Sequence, residues 1–155
     1  MLIKTLLALL VVVVILAGGA IAGNKVPLRQ LPGPLARLMV YLSRNSAETR
    51  PDHVFPELRT RSYAMSRVQM LERIKAAIVE LGWEIQTDEG DRYSVHAVVS
   101  TPLLQFKDDV YVTLREAAND RTAVHIASRS RVGRADFGAN IGHIMALDEA
   151  LGSGS

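Results

Sequence analysis

Residues 127–141 read ASRSRVGRADFGANI. Three arginines, two glycines, an aspartate and an asparagine stand between an apolar run that alternates and an apolar run with helical spacing. Upstream, TAVHIASRSRV places Val124, Ile126, Ser128, Ser130 and Val132 on one face of a strand. His125, Arg129 and Arg131 then fall on the other, wetter face. Downstream, ADFGANIGHIMALDEAL carries Phe137, Ile141, Ile144, Met145, Leu147 and Leu151 as an apolar helical stripe. The stretch is therefore the end of a strand, a turn and the start of a helix. Gly133 lets the chain turn, Asp136 is placed to cap the helix, and Asn140 is expected to tie the turn down. A strand that turns straight into an apolar helix implies a sheet with helices packed on it.

The rest of the domain follows outward from this corner. DDVYVTLRE, residues 108–116, groups Val110, Val112 and Leu114, and AAND makes a hairpin loop to the last strand. RYSVHAVVS, residues 92–100, alternates with Tyr93, Val95, Ala97 and Val99 on one face, and WEIQTDE runs to a turn at Glu89, Gly90 and Asp91. MSRVQMLERIKAAIVELGW is a helix. Ser66 and Gln69 form a capping box, and Met65 and Met70 take the staple positions around it. Val68, Leu71, Ile74, Ile78 and Leu81 form its stripe, and Gly82 is its stop. ELRTRSYAM adds a short strand, giving the order strand, helix, four strands, helix. Short connections make neighbours antiparallel. The expected fold over residues 55–151 is α+β, helix-grip-like, with an antiparallel sheet of about five strands under two helices.

Thr5–Ala22 is 18 residues without a charge, long enough at about 27 Å to cross a hydrocarbon core. Residues 1–23 are read as a transmembrane anchor. The competing expectation is a secretory signal with a small-residue site at Ala20-Ile21-Ala22. Residues 24–54 form a neck with five basic residues, Lys25, Arg29, Arg37, Arg44 and Arg50, against Glu48. The domain that follows is mildly acidic, so the overall charge of +2 hides a basic collar at the membrane. Within the neck, PLARLMVYLSR is a short helix opened by Pro34. Leu35, Leu38, Met39 and Leu42 share one of its faces. One expectation lays this helix on the bilayer, with Arg29, Arg37 and Arg44 reaching phosphates and Tyr41 at headgroup level. The others pack it on its own domain or dock it on another membrane protein. NSAETRPDHVFP reads as a loop, and GSGS, residues 152–155, as a linker or tag scar. The charge pattern suits a membrane surface and lacks the aromatic-interleaved basic patch of nucleic-acid binders.

The chemistry-bearing residues cluster at the opening corner. Arg129 or Arg131 can pair with Asp108, Asp109 or Asp136 as a structural ionic corner. Alternatively, Arg131 and Arg134 beside the helix start make an anion site for a lipid phosphate or carboxylate, weakened by Asp136 competing for the same amides. An enzyme would need Asp108, Asp109 and Arg131 as acid, base and clamp. Alternation sets His96 and His125 on the face opposite Ser128 and Ser130, against a serine triad. The chain has no cysteine. No metal-ligand spacing, phosphate loop or dinucleotide fingerprint calls for a metal or cofactor. DEGD, Asp88 to Asp91, is too short for a calcium loop.

FKDDVYVTL, with Phe106, Asp108, Asp109 and Val110, followed by Ser128, Ser130, Arg131, Val132, Gly133, Asp136, Gly138 and Asn140, resembles the bacterial family catalogued as domain of unknown function 1499. The resemblance covers about residues 55–150. After Asn140 the chain departs from it, reading Ile141-Gly142-His143-Ile144 where members commonly carry basic residues. The resemblance implies no established activity. Export signals are frequent among such proteins, which implies an extracytoplasmic domain on a bacterial inner membrane, whereas the charge count of the neck favours the cytoplasmic side. Three functions are expected in turn. The first is a non-catalytic membrane-anchored accessory or binding protein that contacts an integral membrane protein complex. The second is a binder of lipid or a small apolar ligand, with its anion site at the last helix. The third is a hydrolase.

Overall fold

The structure, a computed structural model, describes residues 1–86, 91–101 and 106–152. The turn expected at Glu89-Gly90 and the Asp88 end of DEGD lie outside the described residues. In chain order the elements are α1 (Leu2–Gly23), α2 (Pro34–Ser43), β1 (Ser46–Glu48), a single 3₁₀ turn at Pro56–Leu58, β2 (Arg61–Tyr63), α3 (Arg67–Glu80), β3 (Glu84–Gln86), β4 (Ser94–Ser100), β5 (Lys107–Ala117), β6 (Arg121–Ser130) and α4 (Ala139–Leu151).

The fold is α+β with one antiparallel sheet. It has six strands in the order β1-β6-β5-β4-β3, with β2 also pairing with β6. β1 and β2 share the outer edge of β6: β1 covers Ala127–Arg129 and β2 covers Thr122–Val124. The extra strand, β1, lies in the segment expected to be a neck and loop. Three residues carry no readable periodicity, and only the pairing with β6 makes them a strand.

Alternation built the covered face as expected. Val95, Ala97, Val99, Val110, Val112, Leu114, Val124 and Ile126 are buried beneath α3 and α4. The β5–β6 hairpin closes through Asn119 and Asp120, both at positive φ. The capping box forms, Ser66 and Gln69 each bonding the other's backbone amide, and Gly82 takes φ +72° at the stop. The stripe of α3 differs in one position. Val68 is exposed, while Met70 and Ala77 are buried with Ile74 and Ile78. Val68 stands about a third of a turn round the helix from Ile74, so it leaves the sheet side. Val132 is exposed as well, because β6 stops at Ser130 and Gly133 then turns the chain at φ +95°.

α1 has 22 residues and is long and apolar enough to span a membrane, about 33 Å at helical rise. Its last turn does not end in a free linker. Ile21 and, just beyond, Val26 are buried in the domain core, and Asn24 Nδ2 donates to the Phe137 carbonyl at 3.0 Å.

Candidate functional site

The hairpin of β5 and β6 sets Asp109 opposite Arg129 and, on its other side, against β4. Arg131, one residue past β6, reaches back over the outer face. Its Nε donates to Asp109 Oδ2 at 2.9 Å and its Nη2 to Oδ1 at 2.7 Å, a two-pronged pair. His96 Nε2 lies 2.7 Å from the same Oδ1, and its ring stacks on Tyr111 with centroids 4.3 Å apart. The Arg131 hydrogen bonds, helped by His96 and opposed by partial burial, hold the Asp109 carboxyl down at about 2. A carboxylate held this low is a fixed anion near neutral pH.

Asp108, the next residue along, points to the opposite face of the sheet, where it is buried. The set of Asp108, Asp109 and Arg131 expected for an acid, a base and a clamp is therefore divided by the sheet itself. Below it lies a second polar cluster. Asn140, fully buried, accepts from Ser128 Oγ at 2.5 Å, and its Nδ2 lies 2.9 Å from both the Asn45 carbonyl and Ser130 Oγ. Asp136 accepts from the Gly138 and Asn140 amides at 2.8 and 3.1 Å and from Asn140 Nδ2. It caps the start of α4 from two residues before the N-cap, which is Gly138 in the left-handed region. These two amides, expected to serve an external anion, are taken by the protein's own carboxylate. His143, one turn further on, places Nδ1 3.4 Å from Ser128 Oγ and 3.8 Å from Asp108 Oδ2. Burial pulls its imidazole below the usual histidine range, outweighing the pull of Asp108 and Asp136 in the other direction. Sequence reasoning kept His96 and His125 away from the serines correctly but missed His143. Its contact crosses from helix to sheet, and the only local signal is its spacing of three from Asn140. Arg129 and Arg134 are exposed and, among the described residues, bond to no partner.

The neck departs furthest from expectation. Arg37 and Tyr41 were expected at phosphate and headgroup level, and both are fully buried in the protein. The Arg37 guanidinium donates to Glu57 at 2.5 and 3.0 Å, to Tyr41 Oη at 3.0 Å and to the carbonyls of Pro27, Gln30 and Leu31. It also sits 4.3 Å over the Phe55 ring. Tyr41 Oη donates to the Pro27 carbonyl at 2.7 Å. A buried guanidinium is tolerated only with its charge paired and its donors used, and here they are. The amides of Asp136 and Phe137 in turn bond the Arg44 and Tyr41 carbonyls at the end of α2. So α2 is packed on its own domain through its polar side. Its outward side is apolar: Leu35, Leu38, Met39 and Leu42 are exposed, with Leu31 just before them. Arg29 and Arg44 are exposed at its flanks.

Beside α2 the surface opens into a groove of about 550 Å³. Val40, Ala47, Phe55, Leu58 and Ile141 supply its apolar part. Arg44, Arg50 and Arg129 supply its cationic part; His53 and Glu48 also line it, and Glu48 is paired with Arg50.

Fold and clusters together define a small α+β domain fixed to the end of a helix of membrane-spanning length. Residues 40–151 match the family model described as a protein of unknown function, DUF1499, and the chain belongs to that family. The match begins inside α2, so it includes the end of that helix and β1. No curated protein matches the chain.

Proposed function

We propose that this chain is a non-catalytic accessory or binding protein, anchored in the bacterial inner membrane, whose domain contacts an integral membrane protein complex on the extracytoplasmic side. One observation carries this reading. The domain is fastened to the end of α1 through Asn24, Val26 and the carbonyls gathered by Arg37, so a membrane-spanning α1 would hold it at the bilayer surface. A domain tethered this way reaches only what lies at the membrane surface. The outward face of Leu31, Leu35, Leu38, Met39 and Leu42 supports the same reading, since apolar side chains of this size, grouped beside a span, suit lipid or another membrane protein. The division of Asp108 from Asp109 argues against the hydrolytic alternative.

Purification from native membranes in mild detergent, with mass spectrometry of what accompanies the chain, tests the reading. One membrane complex at constant stoichiometry supports it. A chain that arrives alone from several detergents removes it. A reporter fused at the C-terminus should be active on the extracytoplasmic side, and activity only in the cytoplasm would reverse the proposed orientation.

A further inference from the structure

We propose that the groove between α2, β1 and the Phe55–Leu58 segment is a binding site for a single-chain anionic amphiphile, a fatty acid or its like. The site does not use the Gly138 and Asn140 amides at the start of α4, which Asp136 already occupies. It does not depend on any protein partner.

The groove combines two features that occur together in binders of such molecules. Its apolar surface comes from Val40, Ala47 and Tyr111, over a floor of the buried Phe55, Leu58 and Ile141, and its volume of about 550 Å³ lies within the range of small-molecule sites. Its charge is positive. The Glu48 carboxylate is satisfied by Arg50, and His53 Nδ1 accepts the Phe55 amide, so these add little net charge. Arg44 and Arg129 remain, both exposed and, among the described residues, without a partner. Two guanidiniums with unused donors beside an apolar cleft match one carboxylate or phosphate on one acyl chain. Access is also provided for. α2 and the Arg44 that caps its end give the groove Val40 and Arg44, and α2 gives the outside Leu35, Leu38, Met39 and Leu42, so one helix joins the cleft to the outward apolar face.

The test uses the full chain in nanodiscs of phosphatidylcholine, labelled with a long-chain fatty acid that carries a diazirine. A fatty alcohol of the same length is the control, and adducts are mapped by tandem mass spectrometry. The expected result is labelling centred on Val40, Ala47 and Tyr111, the accessible apolar residues of the groove. It should fall about tenfold with the alcohol, and about tenfold in an Arg44→Ala/Arg129→Ala double variant, the loss expected for charge-assisted hydrogen bonds. Lengthening the chain within the cleft should tighten binding by up to about fourfold per methylene. Labelling confined to α1 and the outward leucines would overturn the proposal. So would equal labelling by acid and alcohol, a comparison that needs no variant. Complete competition by inorganic phosphate would also overturn it and assign the two arginines to a free anion.

Discussion

At the scale of single residues, the side chain that matters most to the attachment is Arg37. Replacing it by alanine leaves Glu57 with a side chain about 10% exposed and no counter-charge, removes the side-chain donor from the Gln30 and Leu31 carbonyls, and leaves the Pro27 carbonyl with Tyr41 Oη alone. Breaking a buried pair on one side costs about 3–5 kcal/mol. Arg37→Ala should therefore lower the thermal unfolding midpoint of the detergent-solubilised chain severely, and Arg37→Lys should recover only part of it, because an ammonium has three donors and no fork. An unchanged midpoint would mean the staple carries no stability. The two titrating groups of the corner separate by pH. His143 binds its proton less readily in the folded chain than its ordinary value of 6.5, so the unfolded chain gains protons first on acidification. Its contribution is complete above that value and is lost as pH falls below it. Asp109, ordinarily 3.8 and held at about 2, acts lower: its contribution is complete above 3.8 and is lost toward 2. Urea midpoints measured against pH should show both declines. His143→Gln should flatten the upper one and Asp109→Asn the lower one, and a variant that moved the wrong decline would refute the assignment.

At the scale of elements, legibility in the sequence divided according to what sets each one. β4, β5 and β6 were readable because each buries one face and so alternates, and α3 because its cap is written in four residues. β1 was not, since Ser46, Ala47 and Glu48 acquire strand geometry only from the Ala127–Arg129 edge of β6. The helix α2 was found and its apolar face named correctly; of the placements expected for it, packing on its own domain is the one seen, with Arg37 and Tyr41 turned inward instead of toward phosphates. A sequence assigns Arg37 to water or phosphate by default. The carbonyls that receive it come from the preceding loop and Glu57 from beyond the next strand, and no local pattern announces them. The corner of β6 and α4 was half legible. The Arg131–Asp109 pair and the Asp136 cap were anticipated, whereas the sheet's separation of Asp108 from Asp109 follows from the same alternation and was overlooked when both were assigned to one site. Two element-level predictions follow from packing. Asn140→Ala should destabilise the joint of β6 and α4 by about 1–3 kcal/mol for each group it orphans among Ser128, Ser130 and the Asn45 carbonyl. Conversely, Leu35→Ser/Met39→Ser, on the exposed side of α2, should leave the unfolding midpoint in place while reducing bound lipid or a co-purifying partner. A large loss of stability in that variant would mean the face is covered by the protein itself.

At the scale of the whole molecule, span and domain meet in a close fit at two glycines, Gly142 against the Asn24 backbone and Gly138 against the Val26 side chain. A Cβ added at Gly142 would lie 2.9 Å from the Asn24 carbonyl oxygen, and one at Gly138 would lie 2.9 Å from Val26. Gly142 seats the chain leaving α1. Gly142→Val should push the two apart, broadening the distance between spin labels placed at the end of α1 and on α4, with little effect on the sheet. A distribution unchanged in width would show that the seat is not needed. The fit also has a mechanical meaning. A helix that must tilt to match a thinner bilayer would turn this domain with it, as a pointer turns with its shaft. Lipid thickness would then be converted into the angle at which the domain faces its surroundings, without any change inside the domain.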